Sequence, residues 1–182
     1  SVVDGTTGLL TGDQYVNERR PDSRSRQTVY WQNKYHLASD VIDASYRFYR
    51  DDWGMRAHTL DLRYRFQFSG GMHIEPQWRY SRQNAASFSR GWLVEGQDWN
   101  SATNTATVQY ASSESRLAAF SANTFGVKLG MPIGRAGELM VRLSVYKQVQ
   151  KKPTGAPGVL QSLDIAPSLT APMLLVGYSL PL

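Results

Sequence analysis

Residues 59–68 read Thr59-Leu60-Asp61-Leu62-Arg63-Tyr64-Arg65-Phe66-Gln67-Phe68, an unbroken alternation of apolar and polar side chains. Successive side chains of a strand point to opposite faces. Leu60, Leu62, Tyr64, Phe66 and Phe68 therefore share one face, and Thr59, Asp61, Arg63, Arg65 and Gln67 share the other. After Ser69-Gly70-Gly71 the alternation resumes, with Met72, Ile74, Trp78 and Tyr80 opposing His73, Glu75, Gln77 and Arg79. The pair predicts a hairpin closed by a short glycine turn. Pro76 falls inside the second arm, where its missing N–H removes one ladder hydrogen bond and predicts a bulge.

The same period extends in both directions. Upstream, residues 28–37 set Val29, Trp31, Tyr35 and Leu37 against Tyr30, Gln32, Lys34 and His36, and residues 41–49 set Ile42, Ala44, Tyr46 and Phe48 against Asp43, Ser45, Arg47 and Tyr49. Downstream, strands are predicted over 116–129, over 138–150 with Leu139, Val141, Leu143 and Val145 on one side, and over 172–182 with Leu174, Val176, Tyr178, Leu180 and Leu182. Seven strands and no helix make the chain all-β. The connections after the first, third and fifth strands are short: Ala38-Ser39-Asp40, residues 69–71, and a Gly/Pro turn at 130–137. Those after the second, fourth and sixth are residues 51–56, a long segment 83–115 rich in Ser, Asn, Thr, Gln and Trp, and a Pro/Gly/Ser-rich segment 151–171. Short turns at one end and long loops at the other predict an antiparallel up-and-down transmembrane β-barrel, with residues 1–25 as an extracellular loop and the strands over 26–182.

Composition narrows the chemistry. A chain of 182 residues holds one domain of ordinary size. It has no cysteine, which excludes disulfides, thiolate nucleophiles and cysteine-based metal centres. No apolar run approaches the length of a membrane-spanning helix, whereas a spanning strand needs only about 9–11 residues of alternating character. The net charge of +5 comes from arginines spaced along alternating strands. No basic patch with stacking aromatics points to nucleic acid.

Alternation alone does not say which face is wet. Aromatics near the strand ends, the unequal loop lengths and an apolar period running to Leu182 favour lipid on the apolar side. The lipid-facing set is then Trp31, Tyr46, Phe48, Leu60, Leu62, Tyr64, Phe66, Trp78, Leu143 and Tyr178, with outer-membrane lipid as partner. The lumen set is Lys34, Asp43, Arg47, Asp61, Arg63, Arg65, Glu75, Arg79 and Arg142, joined by Lys128. Pairing around the 69–71 turn sets Arg65 opposite Glu75 and Asp61 opposite Arg79, and pairing across 51–56 sets Asp43 opposite Arg63. The lumen set reads as a charge ladder that fixes register, each cross-strand pair contributing about 0.2–1 kcal/mol. The same cations also suit an anion-preferring pore or a wall that docks an acidic plug.

Five stretches carry a resemblance: Glu18-Arg19-Arg20-Pro21-Asp22-Ser23-Arg24, Ser45-Tyr46-Arg47-Phe48-Tyr49-Arg50-Asp51-Asp52-Trp53-Gly54, His58-Thr59-Leu60, Glu75-Pro76-Gln77-Trp78-Arg79-Tyr80-Ser81-Arg82-Gln83 and Arg116-Leu117-Ala118-Ala119-Phe120. Together they resemble the bacterial outer-membrane proteins catalogued as domain-of-unknown-function family 3570, and the chain is similar to the carboxy-terminal half of those longer proteins. The resemblance implies an outer-membrane barrel without transferring catalytic residues. Through neighbouring genes it also implies an association with envelope redox work. Strand parity agrees with a partial barrel. If the long loops lie outside, seven strands leave one end unmatched, and upstream strands or a companion chain are expected to complete the wall.

Other chemistry finds little support. His73 and Glu75 lie two residues apart on one face, which suits a hydrogen-bond network better than a metal site because no third ligand is spaced with them. Asp51-Asp52 before Trp53-Gly54 lacks the ligand spacing of a calcium loop and reads as a surface turn. There is no G-x-S-x-G and no phosphate-cradling glycine loop. Phe88, Trp92, Trp99 and Tyr110 lie in the polar 83–115 segment, where they either pack together, constrict the lumen or bind a partner. The expected function is a pore or envelope-spanning scaffold in a larger assembly, with no intrinsic catalysis and no cofactor. The alternatives are a soluble β-barrel that encloses a ligand with its apolar face, or the barrel component of an envelope electron-transfer system.

Overall fold

The computed structural model describes residues 1–11, 16–134, 137–163, 166 and 168–180. Seven long strands carry the chain: β1 (Arg26–His36), β2 (Val41–Asp51), β3 (Arg56–Gln67), β4 (His73–Gln83), β5 (Phe120–Ile133), β6 (Gly137–Gln150) and β7 (Leu169–Ser179). Each pairs antiparallel with its neighbour in chain order, in one seven-stranded sheet. The described residues form no α-helix, so none is long and apolar enough to cross a membrane, which says nothing of strands. The described residues do not close into a barrel: β1 and β7 are the free edges of an open sheet.

Register follows the sequence pattern closely. Asp43 lies opposite Arg63 and Asp61 opposite Arg79, as the turn lengths require. Pro76 departs from expectation. The β3–β4 register is the same on either side of it, from Arg63↔Gln77 to Phe66↔Ile74, so no residue is inserted and there is no bulge. The ladder merely skips the positions beside the missing N–H. At the 69–71 turn Gly70 and Gly71 have φ of 76° and 81°, left-handed values that a side chain would strain.

Several boundaries differ from the sequence reading by one to three residues, with Leu37, Phe68 and Met72 lying just outside the strands, and three further differences have a local cause. The strand expected from residue 116 begins at Phe120, because residues 115–117 form a 3₁₀ turn that drops Leu117 into an apolar cluster. The turn expected at 130–137 is shorter, since Gly130 and Pro132 continue β5 and pair with Met140 and Glu138. Leu169–Ala171 belong to β7 rather than to the preceding loop; Pro172 is tolerated there because β7 is an edge strand. Leu182, expected as the last strand residue, and residues 135–136 of the shortened turn lie outside the described residues.

Apolar burial is concentrated away from the sheet. One cluster joins Met55, Ala86, Phe88 and Leu117 with Tyr49, Trp53 and Tyr110. A second joins Val2, Leu93 and Trp99 with Val16, Val108 and Ala111. Both sit among the connections at one end of the sheet, where residues 1–11, 16–25 and 84–119 fold over one another. Val2–Val3 pair in parallel with Leu93–Val94, and Trp99–Asn100 pair with Thr105–Ala106. Glu18 fastens this layer, accepting from Ser112 Oγ, Ser113 N and Ser113 Oγ at 2.8 Å each, while Arg20 reaches Glu114 at 2.6 Å.

Candidate functional site

The alternating period of each strand and the continuous register sort the sheet into two faces. On the first, rows run across strands as Trp31, Tyr46, Leu60 and Tyr80, and as Ala44, Leu62, Trp78, Phe125 and Val145. Phe48, Tyr64, Phe66, Leu143 and Tyr178 share this face by alternation. On the second, one row runs Lys34, Asp43, Arg63, Gln77 and Gly126, and its neighbours hold Asp61 with Arg79, Arg47 with Thr59, and Glu75 with Lys128 and Arg142.

Exposure is the reverse of that in a water-soluble sheet. On the polar face Asp61 is 5% exposed and His73 1%, while on the apolar face Phe125 and Leu143 are each 61% exposed. Ala122 is the one apolar residue of the seven strands buried among the described residues. Alternation persists along β6, where Leu143, Val145 and Val149 are exposed and Arg142, Ser144, Tyr146 and Gln148 are half-buried.

The polar face is a connected network. Arg63 Nε donates to Asp61 Oδ1 at 2.8 Å, and Gln77 Nε2 and Arg79 Nε donate to Oδ2 at 2.8 and 2.6 Å. Three donors compensate the desolvation of that carboxylate. Asp43 lies opposite Arg63 but is held by Gln32 Nε2 at 2.8 Å and by Lys34 Nζ at 3.8 Å, since Arg63 turns toward Asp61. Arg65 and Glu75, expected to pair, do not. Arg65 Nη2 lies 3.0 Å from His73 Nδ1, and Glu75 takes Lys128 Nζ at 3.0 Å and Arg142 Nη2 at 4.0 Å. The ladder gap beside Pro76 falls between them, so Glu75 is served from the β5 side, where Lys128 is directly opposite.

His73 lies over Gly130. A Cβ on Gly130 would approach His73 Cε1 to 2.0 Å, so the imidazole needs a glycine opposite it. The Nε2 atom of His73 is 3.7 Å from Glu138 Oε1, a residue that the sequence reading did not single out. No group of three or more His, Cys, Asp or Glu suited to a metal occurs among the described residues.

The loop end carries a second set of interactions. Asp51, expected in a surface turn, is instead enclosed. Arg24 Nη2 and Nε donate to Asp51 Oδ2 at 2.6 and 2.9 Å, the Tyr49 hydroxyl donates at 2.7 Å, and the Arg24 guanidinium sits 4.4 Å from the Trp53 ring centre. Arg24 lies in a segment without period, so nothing in the pattern pointed to it. Phe88 and Tyr110 join the Met55 cluster, Trp99 joins the Val2 cluster, and Trp92 is half-buried. Outside the strands, hydrogen bonds from the Gln67 N–H and the Tyr64 hydroxyl hold the Asp40 carboxyl below its ordinary range, tying the first turn to β3.

No curated protein matches the chain, and no solved structure does. The family model described as Protein of unknown function (DUF3570) matches residues 1–180, and the chain belongs to that family.

Proposed function

We propose that the seven strands form part of the wall of a bacterial outer-membrane β-barrel, acting as a pore or envelope-spanning scaffold in a larger assembly. The observation that carries this is the reversed burial in the middle of the sheet: Asp61 and His73 on the polar face are covered, while Leu62, Phe66, Phe125, Leu143 and Val145 on the apolar face are exposed. In water, that much exposed apolar surface would drive association. Against lipid it is the stable arrangement, and the polar face then lines an aqueous lumen. The seven strands of 11–14 residues are long enough to cross a hydrocarbon layer about 30 Å thick when tilted.

An apolar face that enclosed a ligand would be the covered one, which favours the lipid assignment over a soluble binding barrel. Free edges at β1 and β7 would expose unpaired backbone groups to hydrocarbon, at several kcal/mol each. Further strands therefore complete the wall, from the same polypeptide or a companion chain. The ion pairs of the polar face hold the register, and its surplus of cations gives the lumen a preference for anions. Extraction tests the proposal: the protein should need detergent to leave the membrane fraction, and full solubility without detergent would overturn it.

A further inference from the structure

At the loop end of the apolar face the pattern breaks. Beyond Phe48 and Tyr80 the next positions are Arg50, Arg56 and Arg82. Arg50 lies directly opposite Arg56, and Arg82 lies opposite His58, two residues from Arg56 on the same face of β3. Like charges directly opposite in a ladder are destabilising. Even so, none of the three guanidiniums makes an ion pair among the described residues. Arg50 Nε donates only to Gln27 Oε1, at 2.7 Å. The nearby acids are engaged, Asp51 by Arg24 and Tyr49, and Asp52 Oδ2 by the Ser25 N–H at 3.0 Å. His58 is held by its Nδ1, 2.6 Å from the Tyr46 hydroxyl. Above these residues opens a groove of about 740 Å³, lined by all three arginines and His58 together with the engaged acids Asp51 and Asp52.

Resting on the membrane reading above, we infer that this groove binds the phosphate of a membrane-lipid headgroup in the leaflet at the loop end. Three guanidiniums lining one groove can meet a phosphate's oxygens bidentately and neutralise its charge. The aromatic side chains of Tyr46, Phe48 and Tyr80 immediately below suit the start of the acyl chains. A bound phosphate also removes the reason for Arg50 and Arg56 to repel.

The test is native mass spectrometry of the detergent-purified protein exchanged into mixed micelles of phosphatidic acid and phosphatidylcholine, with flotation on phosphatidylcholine vesicles alongside. Wild-type protein should retain phosphatidic acid at least tenfold over phosphatidylcholine, and the triple variant Arg50→Gln, Arg56→Gln, Arg82→Gln should lose that preference. The single variant Arg56→Gln guards against a folding artefact. It should weaken retention several-fold while melting no lower than wild type in neutral detergent, because it removes a like-charge pair. Both variants should float on phosphatidylcholine vesicles as wild type does. Flotation without headgroup preference would overturn the lipid site and leave the barrel standing, whereas failure to float would overturn the barrel itself. Competition by inorganic phosphate at equal concentration would overturn the lipid as the source of the phosphate.

Discussion

Asp61 shows how one residue's surroundings decide between competing energies. A carboxylate 5% exposed would be costly alone, but three donors surround it. Asp61→Ala removes the acceptor from Arg63, Gln77 and Arg79 together and should cost about 1–3 kcal/mol, read as a lower melting temperature in detergent. Asp61→Asn should recover part of the loss; equal melting of wild type and Asp61→Ala would refute the network. Gly130 is the steric counterpart. Gly130→Ala drives a methyl group into His73 and should cost about 1–3 kcal/mol, and His73→Ala should relieve it in the double variant. Additive losses would show that the two residues do not meet. Glu18 gives the pH dependence. Its hydrogen bond with Arg20, then those with Ser112 and Ser113, bring its pKa from 4.5 down to about 2. A lowered carboxyl pKa contributes stability above 4.5, which fades as pH falls and is gone near 2. The protection factors of amides in residues 16–20 and 111–114, corrected for the pH dependence of intrinsic exchange, should therefore fall across that window, and Glu18→Gln should flatten the response.

Among the elements, strand existence and register were legible because two independent signals agree: a period of two and short turns that allow only one pairing. Asp43 opposite Arg63 and Asp61 opposite Arg79 follow from turn length alone. Which atoms then bond was less legible, because long arginines choose among several acids within reach. Arg63 bends along its own strand to Asp61, and the gap beside Pro76 sends Glu75 toward Lys128. The loop layer was opaque, since Arg24 with Asp51 and Glu18 with Ser112 are long-range meetings in segments without period. The two faces of β3 give the sharpest test of an element. Leu62→Arg should cost about 2–4 kcal/mol if that side meets the bilayer midplane, while Gln67→Arg on the polar face should be tolerated, both judged by the yield of assembled protein in membranes. Equal tolerance would count against the assignment of faces.

Over the whole molecule, the sheet and its loop layer follow opposite rules. The loop layer buries Phe88, Leu93, Trp99 and Leu117 as a protein in water does, and the sheet leaves Leu62, Phe125, Leu143 and Leu174 bare. One chain built by both rules is what the membrane proposal requires: water around the loops and lipid around the strands. The chain has no cysteine, so single cysteines can be placed along β3 without background. Labelling of Leu60→Cys, Leu62→Cys, Arg63→Cys, Arg65→Cys and Phe66→Cys by a membrane-impermeant maleimide, in protein reconstituted in vesicles, reads out which face of β3 meets lipid. Positions 63 and 65 should react while 60, 62 and 66 are protected, and solubilisation in a denaturant should expose all five. Reaction at 60, 62 and 66 in the intact vesicles, with 63 and 65 protected, would contradict the lipid assignment.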